Sequence, residues 1–399
     1  MIKRETYIKT ISLFIGKPVI KVLTGMRRCG KSVILRLLRE ELLEQGIPEQ
    51  NIIYLNFESM GIRQFLDADS LYNYIVSITR DVSGRFYIML DEVQRVKNWE
   101  HTVASLRVDF DCDIFITGSN NSLWSGNIGE LLAGRYIEIR IHPLSFAEHL
   151  LFTKEGVASD INSQFMDYLH YGGLPGIHEM GIHSPAVIPY LLDIYNSVLL
   201  KDVISRNNIR DTELLERIIN YLMDNTGNIF SAKRISDFLK NQNCRIGTET
   251  VYNYLDALEA AFLLKKVKRW DIKGKRILET QEKYYFEDFG IKNALLGYSS
   301  DSISGLLENI VFLELRRRGY EIFIGQGINC EVDFIARLRD QTNYFQVSYL
   351  LASPETIERE FTPLLNIKDN FPKYVLSMDE FDFSRQGIQH KNIRKWLLE

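Results

Sequence analysis

Residues 25–32, with the sequence GMRRCGKS, carry the most specific chemistry in the chain, because they fit the pattern GxxxxGK[ST] in full. An apolar run precedes them at residues 19–24, and an amphipathic stretch follows at residues 31–43. The glycines allow backbone N–H groups to face a phosphate, and a helix starting there adds the positive end of its dipole. We therefore predict a nucleotide phosphate site. Its expected residues are Gly25, Arg27, Arg28, Cys29, Gly30, Lys31, Ser32 and Val33.

A second group of candidate residues follows the apolar run at residues 86–90, which ends in Asp91 and Glu92. Ligands of open α/β sheets bind at the carboxyl ends of the strands, so both carboxylates are expected beside the phosphates. Lys31 would reach the β- and γ-phosphates, and Ser32 and Asp91 would hold Mg²⁺. Glu92 would orient and activate the attacking water. The expected ligands are thus ATP or ADP, with Mg²⁺.

Two later positions are candidates for contacts with the γ-phosphate. Asn120 follows the apolar run at residues 113–117, and it could sense the γ-phosphate, as could Ser119 or Thr117; a plain turn fits these residue types equally well. Arg135 could stabilise charge on the γ-phosphate, in its own copy or in a neighbouring one. A surface arginine in solvent or in an ion pair is the alternative.

The C-terminal part also has acidic residues in a suggestive order. Glu308 lies in a predicted helix, Asp333 and Glu331 lie on one face of an alternating strand, and Gln346 lies in the next strand. This order resembles the restriction-endonuclease-like nucleases, in which carboxylates bind Mg²⁺ and a lysine assists water attack. Here an amide stands for the second carboxylate and Ser348 for the lysine. We predict an inactive domain of that fold; an active nuclease and an unrelated α/β domain are the alternatives.

The elements that must position the nucleotide site alternate along residues 1–150, which we predict to be an α/β domain with a parallel sheet. The predicted strands are residues 19–24, 51–57, 86–90, 113–117 and 136–141. The predicted helices are residues 31–43, 70–80 and 99–108.

Three more segments follow this domain. Residues 151–225 read as a helical lid or linker, and Ser145 and Glu148 form a capping-box pattern just before it. Residues 226–286 show two helical patterns and then a β-rich stretch, which is the order of a winged helix. Residues 287–399 return to mixed α/β, where we place the restriction-endonuclease-like domain. The overall fold class is α/β.

DNA is a possible partner of the winged-helix segment. Its second helix presents acids outward, which is unfavourable against phosphates, whereas basic residues follow in the predicted wing. These are Lys265, Lys266, Lys268 and Arg269. A role in binding a protein partner, a second copy or another part of the same chain is the alternative that we favour, because charges of a wing alone give unspecific, salt-sensitive DNA binding.

Charge, apolar runs and cysteine spacing limit the remaining function classes. The formal net charge is −4, so no general affinity for nucleic acid is indicated. No apolar run reaches the roughly 18–20 residues that cross a bilayer, and the N-terminus lacks the apolar region of a signal peptide, so we expect a cytoplasmic protein without membrane contact. The four cysteines contain no CxxC pair, which indicates neither a metal site nor a disulfide.

Five segments taken together resemble the AAA-type P-loop ATPases, in the branch related to STAND and archaeal-type ATPases, which often carries a C-terminal domain of unknown function. The segments are GMRRCGKS, IMLDEVQRVKNWE, ITGSNNSL, LLAGRY and PLSFAEHL. The resemblance implies ATP binding through Gly30, Lys31 and Ser32, Mg²⁺ binding through Asp91, and Glu92 as the catalytic acid.

The expected function is therefore Mg²⁺-dependent ATP hydrolysis that acts as a switch or motor and repositions the winged-helix and C-terminal domains. A DNA-binding protein or nuclease under nucleotide control is the main alternative. A scaffold that binds nucleotide without hydrolysing it is a third, although it would leave Glu92 without a role.

Overall fold

The computed structural model describes residues 2–118, 132, 134–153, 160–228, 231–242, 246–327 and 330–399. The chain forms two compact units. The first comprises Met1–Pro143 with Ala260–Phe262, and the second comprises Leu144–Glu259 with Leu263–Glu399. The first unit thus ends close to the boundary predicted at residue 150.

The first unit is built on a parallel sheet of five strands in the order β2-β3-β4-β1-β5. The strands are β1 Ile20–Thr24, β2 Ile52–Asn56, β3 Phe86–Asp91, β4 Cys112–Thr117 and β5 Tyr136–Arg140. All five agree with the predicted runs within one residue at either end, so the predicted α/β domain is confirmed. β1 and β3 are buried along their whole length, which explains why they read as continuous apolar runs.

Four helices accompany this sheet. They are α1 Glu5–Ser12, α2 Lys31–Glu44, α3 Ala68–Thr79 and α4 Trp99–Asp109. The helix α1 was not among the predicted helices. Because parallel strands all end at the same edge, the C-terminal ends of β1, β3 and β4 lie together at the carboxyl edge of the sheet.

The second unit begins with helices. They are α5 Phe146–Thr153, α6 Ile161–Tyr171, α7 Gly176–Met180, α8 Val187–Val198, α9 Ser205–Asn207, α10 Thr212–Asp224, α11 Ala232–Asn241 and α12 Thr248–Ala260, with a π-helical stretch at Leu199–Ile204. The predicted capping box is confirmed, because Ser145 N donates to the Glu148 carboxylate over 2.9 Å and Glu148 N donates to Ser145 Oγ over 3.1 Å.

A mixed sheet of seven strands completes the second unit, in the order β12-β11-β10-β9-β8-β6-β7. The strands are β6 Leu264–Asp271, β7 Arg276–Phe286, β8 Glu321–Gln326, β9 Glu331–Leu338, β10 Gln341–Val347, β11 Lys373–Ser377 and β12 Ile388–Asn392. The helices that accompany it are α13 Phe289–Leu296, α14 Ile303–Arg317, α15 Pro354–Leu365 and α16 Ile393–Trp396.

The hairpin of β6 and β7 occupies the place of the predicted wing, but it belongs to this seven-stranded sheet. β6 pairs antiparallel with β7 and parallel with β8. The boundary predicted between residues 286 and 287 therefore separates strands that are hydrogen-bonded neighbours. Within the part of the chain that the structure describes, no helix combines the length and the apolar sequence needed to cross a membrane.

Candidate nucleotide site

The phosphate loop runs from the end of β1 to the start of α2, and its shape depends on two glycines. Gly25 and Gly30 have φ angles of +140° and +104°, which residues with a side chain rarely adopt. A Cβ atom on Gly25 would lie 2.2 Å from the carbonyl oxygen of Ile141. The loop therefore requires glycine at position 25 for both conformation and space.

Lys31 is held against this loop. Its side-chain ammonium donates to the carbonyl oxygens of Gly25 over 2.8 Å and Met26 over 2.9 Å, and the residue is 4 % exposed. The lysine is the first residue of α2, so its charge lies at the helix N-terminus, where backbone N–H groups are unpaired within the helix. The phosphate loop, the Lys31 ammonium and the N-terminus of α2 thus place positive charge in one small region.

Asp91 ends β3, is fully buried, and accepts four hydrogen bonds. Oδ1 accepts from the hydroxyl groups of Ser32 over 3.0 Å and Thr117 over 2.5 Å. Oδ2 accepts from the Tyr54 hydroxyl and from Asn56 Nδ2, each over 3.0 Å. These four donors fix the orientation of the carboxylate at the end of β3.

Tyr54 and Asn56 were not identified from the sequence. Both lie on β2, at alternate positions that share one face of the strand, and Asn56 is aligned with Asp91 in the register of β2 and β3. Burial and the charge of Asp91 raise the pKa of Tyr54 to about 12, so its hydroxyl keeps the proton that it donates. The alternation of residues along β2 was visible in the sequence, but its pairing with β3 was not.

Glu92 has φ +58°, a left-handed conformation that is uncommon for residues other than glycine. Its backbone N–H donates to Thr117 Oγ1 over 2.8 Å, and its carboxylate accepts from Gln94 Nε2 over 2.5 Å. Thr117 therefore links the two acidic residues, because the same hydroxyl donates to Asp91. Strained conformations of this kind cluster at functional sites, although they also occur in turns.

The other predicted site residues divide into three groups. Arg27, Arg28, Cys29 and Val33 belong to the loop or the first turn of α2, and Cys29 is fully buried. Asn120 and Ser119 lie outside the described residues. Arg135 lies at the opposite edge of the sheet, because its carbonyl oxygen accepts from the N–H of Ile20, where β1 begins. The length of β1, about 16 Å at 3.3 Å per residue, separates it from the phosphate loop. This position does not fit a contact with the γ-phosphate of its own copy; action on a neighbouring copy stays a prediction, with a surface arginine as its alternative.

A second polar cluster lies in the second unit, around Lys283 on β7. Its ammonium is 2.9 Å from Glu308 Oε1, 2.6 Å from Glu331 Oε1 and 3.8 Å from Asp333 Oδ1, and the side chain is 3 % exposed. The Tyr285 hydroxyl donates to Glu308 over 2.5 Å. Burial disfavours the ammonium, but the three carboxylates outweigh it and raise the pKa of Lys283.

Sequence reasoning missed Lys283 as the partner of these carboxylates, because it lies on a strand outside the segment that was compared with nucleases. Gln346 Oε1 accepts from the N–H of Asp333 over 3.2 Å, and Asp333 Oδ2 accepts from the N–H of Val347 over 2.9 Å. In the described ranges, no group of three or more His, Cys, Asp or Glu side chains is arranged to hold a metal ion. The carboxylates are engaged by Lys283 instead.

Most of the basic residues of the predicted wing are paired with acids or buried. Lys265 forms an ion pair with Glu259 of α12, and Lys266 lies 4.0 Å from the Asp256 carboxylate of the same helix. Arg269 is 8 % exposed. Lys268 is the exposed member of the four. The outward acids of α12 thus neutralise two of the lysines proposed to face DNA.

Comparison with known proteins supports the reading of the first unit. A family model described as an AAA domain matches residues 17–150, and a domain of unknown function, DUF8612, matches residues 162–302. An uncharacterized protein of Haemophilus influenzae is 38% identical, with 100% of this chain and 99% of that protein aligned. MJ1544, an uncharacterized protein of Methanocaldococcus jannaschii, is 32% identical over 83% of this chain and 75% of its own length.

Among solved structures, the Walker-type ATPase PABY2304 of Pyrococcus abyssi is similar in fold. Its TM-score is 0.53 at 15% sequence identity, over 74% of this chain and 96% of that chain. The AAA match covers the five-stranded sheet, the phosphate loop and the Asp91–Glu92 pair together. The chain therefore belongs to the same family as the Haemophilus influenzae protein and MJ1544, and its first unit carries an AAA-type P-loop ATPase domain.

Proposed function

We propose that the first unit binds ATP together with Mg²⁺ and hydrolyses it to ADP and phosphate. The observation that carries this proposal is the hydrogen bond of 3.0 Å between Ser32 Oγ and Asp91 Oδ1, which joins the end of the phosphate loop to the end of β3. Hydroxyl, carboxylate and phosphate oxygens are the ligands that Mg²⁺ prefers. Ser32 and Asp91 are therefore the residues that would hold the ion beside the phosphates.

Lys31 and the start of α2 would bind the phosphates themselves. The ammonium now donates to the carbonyl oxygens of Gly25 and Met26. Charged phosphate oxygens are stronger acceptors than carbonyl oxygens, so we expect Lys31 to exchange these partners for the β- and γ-phosphates. The N–H groups at the helix start would add further donors.

Glu92 would activate the attacking water. Its carboxylate would accept a proton from the water as the water oxygen bonds to the γ-phosphorus. The bond from that phosphorus to the bridging oxygen breaks, and ADP leaves with the electron pair. Bound Mg²⁺ supplies neutralisation of the phosphate charge.

The test is a phosphate-release assay with Mg²⁺, paired with a measurement of ATP binding. Glu92→Gln is expected to keep ATP binding and to lose at least about 100-fold in turnover, the size of a general-base contribution. Lys31→Ala is expected to lose both. Lys17→Ala serves as the control, because Lys17 is exposed and precedes β1 at the other edge of the sheet. Normal hydrolysis by Lys31→Ala would defeat the proposal.

We further propose that the ATP state of the first unit controls what the second unit binds, as a switch or motor. A protein partner or a second copy is favoured over DNA, because Lys265 and Lys266 are paired with acids of their own unit. Hydrogen exchange over residues 144–399 should differ between Glu92→Gln with ATP and the wild type with ADP. Identical exchange in the two states argues against a switch, and duplex DNA affinity that changes with nucleotide would favour the alternative.

A further inference from the structure

Arg4, just before α1, is a charged residue with only 4 % of its surface exposed. Its guanidinium donates to the carbonyl oxygens of Cys29 over 3.0 Å, His142 over 2.9 Å and Pro143 over 3.4 Å. The Tyr7 ring lies 4.5 Å from the guanidinium carbon, and the Tyr7 hydroxyl accepts from the N–H of His142 over 3.0 Å. Burying a guanidinium is costly unless its hydrogen bonds are made, and here backbone acceptors make them.

The bond to Cys29 concerns a peptide group inside the phosphate loop. In a planar trans peptide the C=O and the following N–H point in opposite directions. Because the Cys29 carbonyl is turned toward Arg4, the N–H of Gly30 is turned away from it. Backbone N–H groups of this loop are the expected phosphate donors, so Arg4 determines where one of them points.

Because residue 30 is a glycine, a hydrogen bond such as that from Arg4 is needed to fix the orientation of the Cys29–Gly30 peptide. A rotation of the Cys29–Gly30 peptide would change φ of Gly30, and glycine accepts both signs of φ at little cost. Gly30 has φ +104° in the structure. Without Arg4, the peptide could turn the N–H away from the phosphates and leave the carbonyl oxygen facing them, which repels an anion.

We propose that Arg4 is a positioning residue of the ATP site, which holds the Cys29–Gly30 peptide in its phosphate-binding orientation and ties the loop to the end of β5. This inference rests on the proposed function. It assigns part of the nucleotide site to the N-terminal segment before β1, which lies outside the GxxxxGK[ST] pattern and outside the residues 17–150 matched by the AAA model.

The experiment compares Arg4→Met, Arg4→Lys and Lys9→Met by the Kd for ATP and ADP and by the KM and kcat of hydrolysis. Methionine has similar length without donors, and Lys9 is an exposed cation on α1, with a side chain 77% exposed. We expect Arg4→Met to weaken ATP and ADP alike by about tenfold or more, the effect of losing one well-placed charged hydrogen bond. KM should rise more than kcat falls, Arg4→Lys should be intermediate, and Lys9→Met should match the wild type.

Thermal midpoints without nucleotide separate positioning from a merely structural role. A folded Arg4→Met variant with a lower midpoint and unchanged Kd values would overturn the inference. If Arg4→Met does not fold, Arg4→Lys decides, because it keeps the charge and loses the forked geometry: unchanged affinity overturns the inference, and weaker affinity supports it. Normal hydrolysis by both variants would leave the proposed function intact and remove Arg4 from it. A wild type that binds no ATP would overturn both.

Discussion

At the scale of single residues, Thr117 joins the two acids of the ATP site. Its hydroxyl donates to Asp91 and accepts from the N–H of Glu92, over 2.5 and 2.8 Å. We expect Thr117→Val to lower kcat by about tenfold or more, because Glu92 loses a bond that holds its left-handed backbone. Thr117→Ser, which keeps the hydroxyl, should retain most of the turnover. Equal kcat values for the two variants would contradict this role.

The residues of the candidate site that were proposed from the sequence lie in local patterns, whereas those that were missed depend on contacts between distant segments. Lys31 and Ser32 were proposed from the GxxxxGK[ST] pattern, and Asp91 and Glu92 from the apolar run that they follow, because the carboxyl ends of such strands face the ligand in open α/β sheets. Tyr54 contacts Asp91 only because β2 is the neighbour of β3, and Arg4 reaches the loop from before β1. No local pattern encodes such contacts between distant segments.

At the scale of elements, a buried ion pair joins β1 and β4. Lys21 and Asp113 are both fully buried and bonded to each other, and Asp113 Oδ2 also accepts from the N–H of Gly16 and from Arg85 Nε, each over 2.9 Å. Burial lowers the pKa of Lys21, against the opposing effect of Asp113. Removing one partner leaves the other charge uncompensated in the interior.

We therefore expect Asp113→Asn to reduce the free energy of unfolding by about 3–5 kcal/mol, the usual cost of breaking a buried pair. Asp111→Asn is the matched control, because the Asp111 side chain is 72% exposed and pairs only at the surface, 3.3 Å from Arg85. Denaturant unfolding measures both. A loss below about 1 kcal/mol for Asp113→Asn would mean that water or a rearrangement compensates the lysine.

Two histidines, the buried His149 and the half-buried His178, make the second unit sensitive to acid. His149 on α5 and His178 on α7 have ring centroids 4.8 Å apart. Burial lowers the pKa of His149 to about 3, with a contribution from His178, and burial lowers that of His178 to about 4. Unfolding restores values near 6.5, so the unfolded state binds more protons at mildly acidic pH.

The contribution of the two histidines to the free energy of unfolding is therefore complete above pH 6.5 and is lost as the pH falls toward 4 and then 3. In that range, each histidine lowers the free energy of unfolding by about 1.4 kcal/mol for each pH unit that the solution is acidified. Urea unfolding at pH values from 7 to 4.5 should show this loss of stability. His149→Phe should reduce the slope of the free energy of unfolding against pH. His183→Gln, at a side chain that is 74% exposed, should leave the slope unchanged. A slope that His149→Phe does not alter would exclude His149 as a cause.

At the scale of the whole molecule, strand alternation was predictable and long-range pairing was not. The parallel sheet of the first unit follows from short strands separated by helices, since such connections leave few arrangements. In the second unit, β6 and β8 pair across α13 and α14, which lie between them in sequence. The predicted winged helix and the predicted C-terminal domain therefore share one sheet, a relation that helical or strand periodicity does not contain.

A substitution at Lys283 can show whether the shared sheet makes the second unit unfold cooperatively. Lys283 comes from β7, whereas Glu308 and the pair of Glu331 and Asp333 come from α14 and β9, beyond the predicted boundary. Lys283→Met would leave these carboxylates without their cation, so we expect a loss of about 3–5 kcal/mol at pH 7. The loss should shrink at lower pH, because protonation removes the repulsion among the carboxylates.

Hydrogen exchange provides the measurement, since it reports each strand separately. If the second unit is cooperative, amides of β7, α14 and β9 lose protection together in Lys283→Met, and those of β10 and β11 follow because they are hydrogen-bonded to β9 in series. Lys268→Met, at the exposed lysine of β6, should change none of them. Loss of protection confined to β6 and β7 would show that the hairpin folds apart from the remaining strands, as the predicted domain boundary implies.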